Sequence, residues 1–454
     1  MKNMTLKEIV SACNGTYYGP EENLNKEVSD VVIDSRKVSK DSLFVAIKGE
    51  RVDGHTFIPQ VMGNGALCSI SEKVLEDADF SYIVVESSEK ALKDLAAHYR
   101  NSLDIKVIGI TGSVGKTSTK EMIASVLEKK FNVLKTEGNF NNEIGLPLTI
   151  FRIREEHEIA VLEMGISHFG DMEPLASIAR PDICVVTNIG FAHLENLKTR
   201  DGILQEKTDM FRFMKDNGTI ILNGDDDKLS TVKDYKGVKP VFFGVESDRP
   251  YFASDINDMG LEGIEATFNT PDSNFTAHVF VPGSHMILNA LAGIAVGRSL
   301  GMEDKDIKAG IEALRPMAGR NNIIKTDKYT VIDDCYNANP ASMKASLDVL
   351  KKANTRKVAI LGDMFELGEN EKAMHAEIGA YAATVPVDVL VCIGDLSREM
   401  EAGARKVCSE TKIYWYKIKE VFIDDMNDIL KDGDTILVKA SHGMEFPEII
   451  KNLK

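Results

Sequence analysis

The sequence predicts an α/β protein of three domains: a small α/β domain, a central domain with a parallel sheet, and a C-terminal doubly wound domain. A chain of 454 residues is too long for one ordinary hydrophobic core. Apolar runs of strand length alternate with helix-like segments, which is typical of buried parallel sheets. A glycine-rich turn at residues 109–115 joins one such run to a helical pattern.

The first domain is predicted over residues 1–104. Short strands are expected at Ser42–Ile47 and Tyr82–Glu86, and the segment Ala91–Arg100 has a helical pattern.

The second domain, residues 105–316, is predicted to begin with a phosphate-binding loop. The run 107–119 reads Val-Ile-Gly-Ile-Thr-Gly-Ser-Val-Gly-Lys-Thr-Ser-Thr. Gly112 and Gly115 allow backbone N–H groups to surround an anion, Lys116 can neutralise phosphoryl oxygens, and the Thr117 hydroxyl can hold Mg²⁺. In the usual phosphate-loop motif the first glycine would stand at position 110, which is Ile110 here. A simple strand-to-helix turn is therefore the alternative. Apolar residues on one face of the following helix support the first interpretation: Met122, Ile123, Val126 and Leu127.

Further strands of this domain are expected at Glu158–Met164, Ile183–Thr187 and Gly218–Asn223, with an antiparallel edge within 250–281. The third domain, residues 317–454, follows the segment Pro316–Arg320. Its predicted strands are Thr330–Asp334, Val358–Gly362, Val387–Gly394 and Thr435–Ala440. Asn339 and Pro340 have the pattern of a helix cap and first turn.

Composition limits the function. The formal charge of −16 argues against general binding of nucleic acid or anionic membranes. No run of 18 apolar residues and no signal-peptide core are present, so we expect a cytoplasmic protein without membrane insertion. The six cysteines form no Cys-x-x-Cys pair and are interpreted as reduced core thiols: Cys13, Cys68, Cys184, Cys335, Cys392 and Cys408.

Several polar residues follow predicted strands. Glu163 stands where a carboxylate could reach Mg²⁺, although a solvated strand end is the alternative. His193 and Lys207 alone read as an ordinary loop histidine and a surface lysine. Three asparagines within 139–142 indicate either a surface loop or a second anion- or sugar-binding loop. Asn289, in an apolar helix, needs a hydrogen-bond partner, which a bound base could supply.

Together these residues resemble the Mur ligases, ATP-dependent enzymes that add amino acids to UDP-N-acetylmuramoyl peptides. The family's phosphate loop reads Thr-Gly-[Ser/Thr]-x-Gly-Lys-Thr, and residues 111–117 match it. This version of the motif has no glycine at the position of Ile110, so the departure from the usual spacing is explained. Further matches are 138–145, 163–165, 188–193, and His285 with Asn289. The clusters 333–340 and 362–368 resemble the branch that adds D-alanyl-D-alanine, and the Asp-Asn-Pro-Arg motif of the diaminopimelate-adding branch is absent. Segments 34–36 and 53–55 resemble the UDP-binding domain of the family.

The resemblance implies a P-loop ATPase-type central domain, a Rossmann-like third domain and a set of site residues. ATP would bind Thr111, Gly112, Ser113, Val114, Gly115, Lys116, Thr117, Ser118, Asn289, Arg320 and Asp334. Thr117 and Glu163 would hold one Mg²⁺ and His193 a second, and Lys207 would carry a CO₂-derived carbamate. The implied catalytic set consists of Lys116, Glu163, His193 and Lys207.

The UDP-muramoyl substrate would bind Ser35, Arg36, Lys48, Asp53, Gly54, His55, Asn139, Asn141 and Asn142. The acceptor would bind Tyr336, Asn337, Asn339, Asp363, Ser441 and His442. Met286 and His442 depart from the pattern, since relatives often carry Asn and Arg there.

The implied reaction forms an acyl phosphate on UDP-N-acetylmuramoyl-tripeptide and then an amide with D-alanyl-D-alanine. We expect a monomer that serves peptidoglycan synthesis, cell shape and cell division. Another Mur-type or folylpolyglutamate-like ligase, or a nonenzymatic relative that binds UDP-sugar peptide, remains the alternative.

Overall fold

A computed structural model describes residue 1 and residues 3–246, 248–407 and 410–454. Its strands form three β-sheets, of five, nine and six strands. The predicted three-domain α/β fold class is confirmed by this architecture.

The first sheet is small and mostly parallel. Its strands are β1 (Thr16–Tyr18), β2 (Val31–Val32), β3 (Leu43–Val45), β4 (Cys68–Ser71) and β5 (Tyr82–Val84). The order is β1-β5-β4-β3-β2, and β1 runs antiparallel to β5. The associated helices are α1 (Leu6–Ala12), α2 (Ile58–Gly63) and α3 (Ser88–Ser102). Thr5 and Glu8 form a capping box at the start of α1.

The second sheet has nine strands. They are β6 (Lys106–Thr111), β7 (Val133–Lys135), β8 (Ile159–Glu163), β9 (Ile183–Val186), β10 (Thr219–Asn223), β11 (Val241–Gly244), β12 (Tyr251–Asp258), β13 (Ile264–Asn269) and β14 (Asn274–Val279). The order is β14-β13-β12-β11-β10-β9-β6-β8-β7. β13 pairs antiparallel with both β12 and β14, so the expected antiparallel edge is confirmed.

Helices of the same stretch of chain are α4 (Lys116–Leu127), α5 (Gly145–Ile150), α6 (Met172–Ala179), α7 (Leu194–Leu197), α8 (Arg200–Thr208), α9 (His285–Ser299) and α10 (Asp304–Ala313). The apolar face expected on α4 is buried, as are Thr119, Lys120, Ala124 and Ser125. This helix is therefore enclosed by protein on most sides.

The third sheet is doubly wound, as predicted. Its strands are β15 (Asn322–Lys325), β16 (Thr330–Asp333), β17 (Lys357–Gly362), β18 (Val389–Ile393), β19 (Lys412–Tyr416) and β20 (Thr435–Lys439), in the order β15-β16-β20-β17-β18-β19. Its helices are α11 (Pro340–Lys351), α12 (Glu371–Thr384), α13 (Ser397–Val407), α14 (Lys419–Ile429) and α15 (Pro447–Asn452).

Successive residues of β17 enter different cores on the two faces of this sheet. Ala359 and Leu361 pack with Leu347 of α11, whereas Val358 and Ile360 pack with Phe422 of α14. Helices therefore cover both faces. The sequence prediction missed β15, which pairs antiparallel with β16, and β19 at the other edge.

By internal packing the chain divides into two compact units. Unit 1 comprises Met1–Thr111, Phe131–Val185 and Glu206–Thr219, and unit 2 comprises Gly112–Lys130, Val186–Gln205 and Ile220–Lys454. The domain boundaries 1–104, 105–316 and 317–454 stay predictions.

Burial of the described cysteines agrees with the sequence interpretation. Cys13, Cys68, Cys184, Cys335 and Cys392 are buried and carry no disulfide, while Cys408 lies outside the described residues. Burial raises the pKa of the Cys13 thiol to about 12. Within the part of the chain that the structure describes, no helix is long and apolar enough to cross a membrane.

Candidate active site

The phosphate loop has the backbone that its sequence predicts. Gly112 and Gly115 have φ values of 151° and 82°, a region that L side chains rarely adopt. A Cβ on Gly112 would lie 1.9 Å from the Thr187 hydroxyl oxygen. Asn188 holds the loop from the next strand end, because its Oδ1 accepts from the Val114 N–H at 2.9 Å and its carbonyl accepts from the Ser113 N–H at 3.0 Å.

Lys116 and Thr117 open α4, as expected for a phosphate-binding loop. The Lys116 Nζ donates to the Gly112 carbonyl at 2.8 Å, so the cation folds over the loop. The Thr117 hydroxyl accepts from Arg320 at 3.2 Å. The Arg320 guanidinium also lies 4.0 Å from the centre of the Tyr336 ring. Unit 2 thus brings together two residues expected to bind ATP and one expected to bind the acceptor.

Glu163 ends β8 in unit 1 and is 2% exposed. Its Oε1 accepts from the Asn141 amide at 2.8 Å, and its backbone N–H donates to the Thr136 hydroxyl at 3.0 Å. Its Oε2 is buried without a hydrogen-bond partner. A buried carboxylate oxygen without a donor suits a hard cation such as Mg²⁺. Asn141, which is expected to bind substrate, thus also holds this carboxylate in place.

His193 stands at the start of α7 with a positive φ of 61°. Its Nδ1 lies 3.1 Å from the Glu366 carboxylate, and both belong to unit 2. The sequence interpretation did not single out Glu366, although it lies within the cluster 362–368.

Lys207 is fully buried in unit 1. The interpretation of this residue alone, as an ordinary surface lysine, is therefore wrong. Among the described residues, no group of three or more His, Cys, Asp or Glu side chains could hold a metal. The implied set does not conflict with this result, because it relies on a hydroxyl, a carbamate, one carboxylate and one imidazole.

The buried amide of Asn289 already has protein partners. Its Oδ1 accepts from the Thr119 hydroxyl at 2.9 Å, and its Nδ2 lies 3.2 Å from the Met286 sulfur. Its burial therefore does not require a bound base, which corrects that step of the sequence argument.

Asp334, expected to contact ribose, is engaged in a buried ion pair. Its Oδ2 lies 2.6 Å from the Lys439 Nζ and also accepts from the Ser346 hydroxyl. Its Oδ1 accepts from the Asn321 N–H at 3.1 Å. Lys439 donates further to the Asn337 carbonyl at 3.1 Å. This network ties β20 to the loop after β16.

Three other residues expected to bind the acceptor support the backbone. Asp363 accepts from the Ser397 N–H at 2.7 Å and from its hydroxyl at 2.6 Å, at the start of α13. Asn339 caps α11, as predicted from the sequence, and the Ser441 hydroxyl accepts from the Phe365 N–H at 2.9 Å.

His442 is exposed, with its ring centre 5.6 Å from that of Tyr336. His442 and Asn337 are the exposed members of the expected acceptor set, and Tyr336 is half-buried.

Among the residues expected to bind UDP, Arg36 pairs with Asp34 at 2.8 Å and holds the pKa of that carboxyl down to about 2 by hydrogen bonding. Ser35 and Arg36 lie in the short turn capped by Asp34. Asp53 and His55 are also paired, with 2.7 Å between Oδ1 and Nδ1.

Gly54 is closely packed, because a Cβ there would lie 2.7 Å from the Ile47 carbonyl oxygen. Lys48 forms a β-bridge with Asp53.

The asparagine loop belongs to unit 1 as well. Asn142 accepts from the Gly145 N–H at 2.8 Å and opens α5, and the Asn139 carbonyl accepts from the Asn141 N–H. Lys37 lies 6.0 Å from the centre of the neighbouring Phe140 ring. The loop therefore lies near the 34–37 turn, where a substrate could touch both.

Comparison with known proteins identifies the family. Family models match residues 27–100 (Mur ligase family, catalytic domain), 110–297 (Mur ligase middle domain) and 319–442 (Mur ligase, glutamate ligase domain). The UDP-N-acetylmuramoyl-tripeptide--D-alanyl-D-alanine ligase of Bacillus subtilis strain 168 is 35% identical, covering 100% of this chain and 99% of the relative.

Solved structures agree with the sequence matches. MurF from Acinetobacter baumannii superimposes with a TM-score of 0.90 at 30% identity, covering 99% of this chain and 98% of that one. MurF from Thermotoga maritima in complex with ADP gives 0.80 at 33% identity, covering 93% and 96%. By its whole length, its three family matches and its fold, this chain belongs to the Mur ligase family, in the MurF branch.

Proposed function

We propose that this chain uses ATP to join D-alanyl-D-alanine to UDP-N-acetylmuramoyl-tripeptide in peptidoglycan precursor synthesis. The observation that carries the proposal is the full-length match to enzymes of that name at 35% identity. The phosphate loop and the Thr117–Arg320 contact support its ATP-dependent part.

The reaction requires a peptide carboxylate to attack the γ-phosphorus of ATP, which releases ADP and forms an acyl phosphate. The acceptor amine then attacks the acyl carbon, and phosphate leaves. Both reactants of the first step are anionic, so charge repulsion dominates its barrier. Lys116 and the N–H groups of the loop lower this barrier by stabilising phosphoryl charge.

Thr117 and Glu163 are proposed to hold one Mg²⁺, and His193 a second. A metal bound by these residues would supply positive charge to the phosphoryl oxygens. The partnerless Oε2 of Glu163 supports this assignment.

Lys207 is proposed to carry the carbamate. Burying an ammonium group is costly, and carbamylation turns the amine into an anionic oxygen ligand. The complete burial of Lys207 supports this proposal.

The substrates are proposed to occupy the residue sets that the family resemblance implies. UDP-muramoyl-tripeptide would lie along the 34–37 turn, the 53–55 turn and the asparagine loop, and the dipeptide against Tyr336 and His442. Asp334, Asp363, Asn339 and Asn142 are assigned to positioning, because their side chains already bond protein groups. Monomeric state and cytoplasmic location stay predictions.

Mass spectrometry of the product formed from ATP, UDP-muramoyl-tripeptide and D-alanyl-D-alanine tests the proposal. We expect product and ADP in equal amounts, dependent on both substrates. Comparable turnover with free D-alanine or L-amino acids would favour another Mur-type or folylpolyglutamate-like ligase. Binding of the UDP-peptide without ATP turnover would favour a nonenzymatic role.

A further inference from the structure

The segment 187–193 follows β9 and ends at His193; we call it the His193 loop. Near its start, Asn188 bonds the backbone of the phosphate loop. Two residues further on, the Gly190 N–H donates to the Ser113 hydroxyl of the phosphate loop at 2.9 Å. The first half of the His193 loop is therefore fixed against the phosphate loop within unit 2.

Between these two contacts, two charged side chains hold the backbone of Ile189. Its N–H donates to Oδ2 of Asp226, in the turn after β10, at 2.8 Å. Its carbonyl accepts from Nε and Nη2 of Arg200, the first residue of α8, at 3.0 and 2.8 Å. The same guanidinium lies 5.5 Å from the centre of the Phe191 ring. Both polar backbone groups of Ile189 are thus restrained, from two different elements.

The two charged side chains are themselves anchored. Oδ1 of Asp226 accepts from the N–H groups of Lys228 and Leu229 at 3.0 and 2.9 Å, so each carboxylate oxygen has its own backbone donor. Nη1 of Arg200 donates to the Asp227 carboxylate at 2.9 Å. Hydrogen bonds that involve an ionised group are stronger than neutral ones. The plane of each side chain is therefore fixed before it meets the His193 loop.

His193 lies four residues after Ile189 and has a φ of 61°, in the left-handed region. A residue other than glycine keeps such a conformation where its surroundings determine it. On the C-terminal side, the His193 carbonyl accepts from the N–H groups of Asn196 and Leu197 at 3.2 and 3.0 Å. The backbone is thus held on both sides of His193.

We propose that Asp226 and Arg200 are positioning residues, which set the distance of the His193 imidazole from the phosphate loop by holding the backbone of Ile189. The inference rests on the proposed role of His193 at the second Mg²⁺. Metal ligands need a fixed approach, and the groups that orient them change metal affinity or activity by about 10–100-fold when they are replaced. Asp226 and Arg200 would therefore tune the metal requirement of the reaction through the backbone of the His193 loop.

Asp226→Asn tests this proposal with little change of shape. The amide oxygen replaces only one carboxylate oxygen. If it keeps the two donors Lys228 and Leu229, the amide NH₂ faces the Ile189 N–H, and that bond is lost. We expect the Mg²⁺ concentration for half-maximal ligation to rise at least about tenfold, and the KM for D-alanyl-D-alanine to change less than about twofold.

A double variant tests whether Asp226 acts through His193. His193→Ala alone should raise the Mg²⁺ requirement at least about tenfold, and adding Asp226→Asn should raise it no further, because both changes remove the same contribution. Asp201→Asn is the matched control. Asp201 pairs with Lys228 at 2.6 Å, so it joins the same helix to the same turn through an exposed side chain, and its variant should keep the wild-type values.

Hydrogen exchange of the protein without nucleotide or metal gives a readout that does not depend on ligation. We expect peptides covering 187–193 to exchange faster in Asp226→Asn, by at least about tenfold at the Ile189 amide, and at the wild-type rate in Asp201→Asn. Arg200→Lys is the second variant should Asp226→Asn fail to fold. It keeps the charge but loses the planar fork that reaches Ile189 and Asp227 together, so its Mg²⁺ requirement should also rise.

An unchanged Mg²⁺ requirement in Asp226→Asn or in Arg200→Lys, or additive effects in the double variant, would overturn the proposal. Faster exchange at Ile189 without a higher Mg²⁺ requirement would overturn this inference and leave the proposed function intact. An unchanged Mg²⁺ requirement in His193→Ala would instead overturn the metal assignment in the proposed function, and this inference with it.

Discussion

Replacing Asp334 by Asn tests whether the buried ion pair with Lys439 stabilises the third sheet. Lys439 is 2% exposed, and its ammonium group lies 2.6 Å from the Asp334 carboxylate. Removing one charge of a buried pair costs about 3–5 kcal/mol. The carbonyls of residues 334 and 337, at 3.3 and 3.1 Å, remain as acceptors and favour the lower end, about 3 kcal/mol.

The single tryptophan provides the assay. Trp415 lies on β19 of the third sheet, and its indole N–H donates to the Gly394 carbonyl at 2.9 Å. With an m-value of roughly 2 kcal/mol/M in urea, a loss of about 3 kcal/mol lowers the midpoint of its fluorescence transition by about 1.5 M.

Two further variants separate the charge effect from general damage. Asp334→Asn combined with Lys439→Met removes both charges and should recover most of the lost midpoint. Asp327→Asn, on an exposed turn, should change the midpoint little. A midpoint for Asp334→Asn within 0.3 M (about 0.6 kcal/mol) of wild type would refute this reasoning.

Further predictions concern the reaction, pH and the acceptor. Lys116→Ala should abolish nearly all ligation, since phosphoryl charge is left uncompensated, and wild-type product formation by mass spectrometry would contradict the phosphate-loop assignment. Lys207→Ala should be inactive and partly rescued by a small carboxylate, and full turnover by Lys207→Arg would exclude the carbamate. Burial lowers the pKa of the His285 imidazole, so its contribution to the free energy of unfolding is complete above pH 6.5, the ordinary pKa of the unfolded chain. That contribution falls at lower pH because the unfolded state takes up the proton first. His285→Gln should therefore reduce the change in the Trp415 urea midpoint between pH 7.5 and 5.5. His442→Arg should lower the apparent KM for D-alanyl-D-alanine because it adds a fixed positive charge beside Tyr336, and an unchanged KM would argue that this side chain does not meet the acceptor.

Sequence patterns predicted parallel strands such as β8, β17 and β20 because continuous buried apolar runs are typical of strands inside a parallel sheet. They did not predict the parallel strands β4, β7 and β11. They missed β19, Lys412–Tyr416, which lies at an edge and is mostly half-buried, so its residues lack the continuous apolar run of the central strands. The short antiparallel β15 was missed for a similar reason.

The site was harder to predict than the fold. Polar residues after strands were expected to contact ligands, but Asp363, Asn339 and Asn142 bond backbone N–H groups at helix starts. Side chains of these types can serve either purpose, and sequence spacing cannot distinguish the two.

Arg320 contacts the expected sites of two of the three substrates of the proposed reaction, the nucleotide and the acceptor. Its guanidinium touches Thr117, where the nucleotide phosphate would bind, and covers the Tyr336 ring, where the acceptor would bind. A phosphate offers this cation a stronger partner than a neutral hydroxyl, so nucleotide binding changes what covers the ring. Since such couplings are reciprocal, the acceptor changes nucleotide affinity by the same factor. The affinities for nucleotide and acceptor would thereby be coupled through a single guanidinium group.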